Sequence, residues 1–303
     1  MSDLPSAESL DPQPLDIQHD TDPESDHGLA RRIPHLGHAI LFFSLAVFCL
    51  IFSLGVVYGA AQHHYGAASH FDSQATLLAH PGLALIAQAL AYLATLGISL
   101  WLFPRLWNRS FFAGVHWNAA AVRRYWKQIV LLAILASIAA QLAQNFVASK
   151  DNAPIDDLLS NAHLIGYMAL FAIFLGPFME ELAFRGFLLP AIATAYDWLS
   201  LERSPAALDR WQRSTAHTAP ALVFSAIVSS VPFALLHAAQ IGYAWGVVGI
   251  LYLVSLTLSL VRIRTKSLAC STLMHAVYNS FIFVLLFVST SGFRHLEKIG
   301  HTP

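Results

Sequence analysis

Apolar residues fall along this chain in long blocks, not in the short periods of a half-buried strand or an amphipathic helix. Charge-free runs cover 39–61, 82–103, 128–147, 220–240, 243–261 and 267–290. Each approaches or exceeds the roughly 20 residues a helix needs to cross a bilayer. A seventh run, 164–179, is shorter and leads straight into two glutamates. The pattern predicts an all-α fold: a polytopic transmembrane helical bundle of about seven spans. The first run is too long, and starts too late, for a cleaved signal peptide. The stretch "GFLLPAIATAYDWLS" at 186–200 is amphipathic and reads as a helix lying on the membrane surface, not as a span.

Composition agrees. Of 303 residues, 56% are hydrophobic and 12% charged, about half the charge fraction of a soluble domain. Eight of the 18 acids lie between Asp3 and Asp26, in a stretch with several Pro and Ser that cannot bury a core and reads as a disordered tail. The predicted organisation is an acidic tail at 1–33, N-terminal membrane helices at 34–150, a catalytic membrane core at 151–292 and a C-terminal tail at 293–303. Cys49 and Cys270 both sit in apolar runs and read as small buried hydrophobes.

Lys and Arg set the expected orientation. Arg31 and Arg32 precede the first span. Arg105, Arg109, Arg123, Arg124 and Lys127 lie between the second and third. Arg203, Arg210 and Arg213 follow the fourth, and Arg262, Arg264 and Lys266 the sixth. Every second connection is basic, which places those connections and the N-terminus in the cytoplasm. Trp101, Trp107, Trp117 and Trp126 read as an interfacial aromatic belt.

The segment "GPFMEELAFRGF" at 176–187 puts three ionisable groups where lipid-embedded helix is expected. A charge at bilayer depth costs roughly 2.5–3.5 kcal/mol on insertion scales and marks function. Glu181 and Arg185 are four apart and pair on one face. Glu180 is rotated by about 100° and meets Phe184 one turn on, so its carboxylate is left free for acid–base work. Two apolar spans carry one histidine each, in "VPFALLHAAQ" (Phe233, His237) and "TLMHAVYNSF" (His275, Asn279). A carboxylate, two imidazoles and a carboxamide suffice to hold and activate a water. Glu180 would be the base, with Asn279 and one histidine donating to the oxyanion. Glu180, His237 and His275 also make a two-His-one-Glu set for Zn²⁺. Residue types alone leave both versions open.

In order and spacing these three pieces, Glu-Glu-x-x-x-Arg at 180–185, Phe-x-x-x-His at 233–237 and His-x-x-x-Asn at 275–279, resemble the motifs of the CPBP family over about residues 163–290. That family comprises intramembrane proteases, including the type II CAAX prenyl endopeptidases and the bacterial Abi proteins. The resemblance implies an intramembrane endopeptidase in which Glu180 is the catalytic carboxylate and Glu181, Arg185, His237, His275 and Asn279 complete the site. The cofactor is none or a divalent metal such as zinc. The expected partners are a peptide or protein substrate, lipid-modified or not, and the bilayer, with no nucleic acid. The other readings are a non-catalytic scaffold or self-immunity protein of the same fold and, more remotely, a transporter.

One expectation strains the topology. At about 1.5 Å per residue, Glu180 falls near the cytoplasmic face while His237 falls about 26 Å from it. For the two to meet, the count must fail somewhere, and Pro232, with Ser225, Ser229 and Ser230 nearby, is the expected place.

Overall fold

The computed structural model describes residues 32–65, 81–147, 154–159 and 161–296. The acidic stretch 1–31 and the C-terminal residues 297–303 lie outside the described residues.

Among the described residues every regular element is helical. Seven helices are long and apolar enough to cross a membrane. They are α1 (Leu36–Tyr65), α2 (Pro81–Trp107), α4 (Ala119–Gln144), α6 (Ile165–Leu199), α8 (Ala219–Leu236), α9 (Trp245–Thr265) and α10 (Leu268–Ser289). Short helices α3 (Phe111–Gly114), α5 (Pro154–Leu159) and α7 (Pro205–Arg213) lie in the connections. Side-chain caps start the helices that follow polar loops. Asn118 accepts from Ala121 N–H at 3.1 Å, Ser204 from Ala207 N–H at 3.3 Å and Thr218 from Ala221 N–H at 3.3 Å, each meeting an amide with no partner inside the helix.

The bundle is apolar on the outside and small or polar within. Ile40, Phe48, Ile51, Phe52, Leu131 and Leu135 are exposed, while Thr95, Ser99, Ser137, Ser229, Ser255 and Ser259 are buried. That is the arrangement lipid demands, with close helix contact through small residues. α1 packs along α2, α4 along α10, and α8 between α9 and the C-terminal part of α6. Trp107 does not sit in an interfacial belt. It is buried against Phe103, Phe111 and Phe187, over Gly114, where a Cβ would come within 2.3 Å of the indole. Trp101 and Trp126 remain exposed.

The fourth span corrects two expectations. Residues 186–200 are not a separate surface helix: residues 186–199 continue α6, which runs unbroken from Ile165 to Leu199. Ala191 and Ala193 are fully buried in its packing face. The polar Asp197 is spent on the next connection, accepting from Thr218 Oγ1 at 2.6 Å, Thr218 N–H at 3.2 Å and His217 Nδ1 at 3.1 Å. Lengthening α6 also removes the conflict in depth. Glu180 lies 19 residues before Leu199, and His237 caps α8, 18 residues after Ala219. At about 1.5 Å per residue both stand roughly 27–28 Å from that end. α10 starts higher, with Leu268 N–H bonded to His116 O at 3.0 Å and its side chain beside Gly186. His275 is then about 10 Å up α10 from Leu268, and Glu180 about 9 Å up α6 from Gly186. Pro232 does not supply the adjustment. α8 runs through it, and the Ser225 and Ser229 hydroxyls bond Leu222 O and Ala226 O, not the carbonyl of Val228 four residues before the proline.

The Gly186–Leu268 contact therefore sets the height of His275 against Glu180. A Cβ on Gly186 would lie 3.2–3.3 Å from Leu182 and Leu268, whereas one on Gly97 meets nothing within 4 Å. Gly186→Leu should lower stability by about 1–3 kcal/mol through overpacking. Gly97→Ala should be neutral or stabilising by up to about 1 kcal/mol. Thermal unfolding in detergent checks both.

Candidate active site

The site grows from an irregularity in α6. Gly176 N–H bonds Phe171 O, and Leu189 N–H bonds Phe184 O, each reaching back five residues instead of four. These are the closing bonds of two wide turns, Phe171–Leu175 and Leu182–Leu188. In both cases the next residue is proline, Pro177 or Pro190. Proline brings no N–H, and its ring crowds the carbonyl four residues back. A wide turn relieves that crowding without breaking the helix. The segment Gly176–Glu181 is ordinary α-helix held between the two.

Glu181 points inward and is fully buried. Its Oε1 accepts from Arg185 Nη1 at 2.9 Å and faces His275 Nδ1 at 3.2 Å. Arg185, also fully buried, spreads its remaining donors over α9. Nη2 donates to Ser255 O and Oγ at 2.6 and 2.7 Å, and Nε to Ser259 Oγ at 3.3 Å. The Phe233 ring lies 4.6 Å from its Cζ and also packs near both imidazoles, with centroids 5.1 Å from His237 and 5.8 Å from His275.

Glu180 points the other way, with its side chain 23% exposed. Its Oε2 has no hydrogen-bond partner among the described residues and stands 3.9 Å from His237 Nε2 and 3.8 Å from His275 Nε2. Those gaps are too long for direct hydrogen bonds, yet one water about 3 Å from each atom spans them. Both imidazoles are oriented from behind. His237 Nδ1 lies 2.9 Å from Phe233 O, and His275 Nδ1 against Glu181. A ring that donates from Nδ1 presents Nε2 to Glu180. Glu180, His237 and His275 thus converge from α6, the end of α8 and α10. Glu181 and Arg185 form the layer beneath them.

Asn279 joins the assembly differently: its Nδ2 donates to Ala172 O at 2.6 Å. Among the described residues no group of three or more His, Cys, Asp or Glu side chains has the arrangement of a metal site. Tetrahedral zinc, with bonds near 2.0–2.1 Å, holds its ligand atoms about 3.4 Å apart. Glu180 stands wider than that from both histidines, so the side chains as placed do not fit zinc.

Sequence reasoning missed Ser255, Ser259 and the contact of Phe233 with Arg185. The serines repeat the four-residue spacing of Glu181 and Arg185 within an apolar span, which is the one signal that pointed to them. It also missed Tyr92, which stacks on Phe171 with centroids 5.6 Å apart and takes a hydrogen bond from Gln88.

The two glutamates should respond differently to the same change. Glu181→Gln leaves Arg185 as an uncompensated buried charge and should cost about 3–5 kcal/mol. Glu180→Gln removes a carboxylate that no donor holds and should leave the unfolding midpoint unchanged or raised. Parallel thermal unfolding in detergent decides this, and equal losses would contradict the division of roles.

No curated protein and no solved structure matches the chain significantly. The family model described as type II CAAX prenyl endopeptidase Rce1-like matches residues 162–281, so the stretch that carries Glu180, His237, His275 and Asn279 is similar to that family.

Proposed function

We propose that the protein is an intramembrane endopeptidase in which Glu180 is the general base. The observation that carries this reading is the unpartnered Glu180 Oε2 facing two imidazole Nε2 atoms at 3.8 and 3.9 Å. A water in that gap donates one hydrogen to Glu180 and the other to His237 Nε2. Glu180 takes the proton, and the resulting hydroxide adds to the carbonyl carbon of a peptide bond. His275 lies between two carboxylates. In its doubly protonated form it donates to Glu181 from Nδ1 and to the oxyanion from Nε2. Collapse breaks the C–N bond, and the proton on Glu180 passes to the departing amine, leaving a carboxylic acid and an amine as products. No step runs through a metal.

The family description supports a peptide substrate in a membrane setting, and the bond we propose is cut lies near the membrane surface, in a chain with or without a prenyl group. The basic connections support an orientation with the N-terminus in the cytoplasm. Arg32 bonds Trp211 O, and the turn after Lys266 bonds residues 116 and 118, so those connections gather at one end of the bundle. The catalytic groups lie about 10 Å above the α9–α10 turn, measured along α10.

The test is mass spectrometry of a farnesylated CAAX peptide and an unmodified peptide library incubated with purified protein. Wild type should cleave at least one of them. Glu180→Gln should lower the rate by about 10²–10⁴-fold, the range for a lost general base, while staying folded. Normal cleavage by Glu180→Gln would overturn the assignment. A chelator such as 1,10-phenanthroline should change the rate by less than about twofold, because a base acting on a water held by imidazoles needs no Lewis acid. Strong inhibition reversed by Zn²⁺ would instead make Glu180, His237 and His275 metal ligands.

A further inference from the structure

Pro177 cannot donate a backbone hydrogen bond, and the register around it identifies the carbonyl it leaves open. Gly176 N–H reaches back five residues to Phe171 O. The next amide in that register belongs to residue 177 and would meet Ala172 O. Proline has no such amide, and an unmet carbonyl at bilayer depth is costly, so tolerated membrane prolines have their freed carbonyls met from elsewhere. Here the donor comes from another helix: Asn279 Nδ2 reaches Ala172 O at 2.6 Å.

We infer that Asn279 is a positioning residue, whose carboxamide stands in for the missing amide of Pro177 and locks the wide turn that holds Glu180 in place. This inference deepens the reading of Glu180 as general base and rests on it for its catalytic consequence. Asn279 lies one helical turn beyond His275 on α10, so two bonds tie α10 to α6. One joins His275 Nδ1 to Glu181 at 3.2 Å, and the other joins Asn279 to Ala172. The wide turn and the base border the same small space. A Cβ on Gly176 would lie 3.2 Å from Phe171 O and 3.8 Å from Glu180 Oε1. A shift in the turn therefore moves the carboxylate relative to His275, and a misplacement of about 1 Å at a reacting group is worth about 10² in rate.

The alternative role for this carboxamide, direct donation to the oxyanion, makes an opposite prediction about Pro177. Replacing Pro177 with alanine restores a backbone N–H at the position Asn279 serves. The quantity to measure is the effect of Asn279→Leu, which removes the donor at similar size, in the wild-type background and again in the Pro177→Ala background. With Pro177 present, Asn279→Leu should lower kcat by about 10²-fold, leave KM little changed and lower the unfolding midpoint. In the Pro177→Ala background, both losses should largely disappear. Equal losses in the two backgrounds would overturn the inference. If Asn279→Leu alone gives no folded protein, recovery of folded protein on adding Pro177→Ala is the expected result and continued failure the contrary one. The unfolding cycle needs no substrate. A wild-type protein that cleaves nothing would sink the proposed function while the unfolding cycle still decides the placement of Asn279.

Discussion

The buried pair of Glu181 and Arg185 is the interaction on which the rest of the site depends. Two opposite charges without solvent access are costly unless both are fully engaged. Here Glu181 Oε1 meets Arg185 and His275, while Arg185 meets Glu181, Ser255 and Ser259. Those contacts tie α6, α9 and α10 into one arrangement, with Glu181 Oε2 finding no hydrogen-bond partner among the described residues. The pair also gives the neighbouring carboxylate its freedom: Arg185 is turned toward Glu181, so Glu180 faces the two imidazoles without Arg185 bonded to it. The division of labour between adjacent glutamates follows from helix geometry, which separates them by about 100°, and from Arg185, which is bonded to Glu181.

The backbone supplies the second condition. Glu180 and Glu181 sit in a short α segment bracketed by wide turns, each closed just before a proline. Such turns change which residues share a face and open backbone groups to outside partners. Ala172 O is one such group, and its partner sits on the helix that bears His275. Irregular backbone at membrane depth is tolerated where it is buried in protein, and Gly176, Pro177, Met179 and Glu181 beside Glu180 are buried.

Much of this was legible in the sequence, for physical reasons that differ from one part to another. The spans were visible because lipid requires long uncharged runs. The four-residue spacings of Glu181 with Arg185 and of His275 with Asn279 placed each pair on one face. The length of α6 was not legible. Its last turns look like a surface helix until Asp197 is seen to bond Thr218 and His217, some 20 residues along the chain. The depth conflict between Glu180 and His237 was a symptom of that shortened span and had nothing to do with Pro232. The partner of Asn279 was hidden for a different reason. Knowing which carbonyl Pro177 abandons requires the register of the turn before it, and composition does not report register.

The central claim is that Glu180 and His237 share one solvent molecule while Glu181 and Arg185 are closed to it. A structure of the protein in lipid nanodiscs, at a resolution that shows ordered water, tests this most directly. The account predicts a single solvent peak within about 3 Å of Glu180 Oε2 and His237 Nε2, with Arg185 bonded to Glu181. A structure in which Arg185 instead pairs with Glu180, or in which Glu180 and His237 stand more than about 10 Å apart so that no single water reaches both, would contradict it.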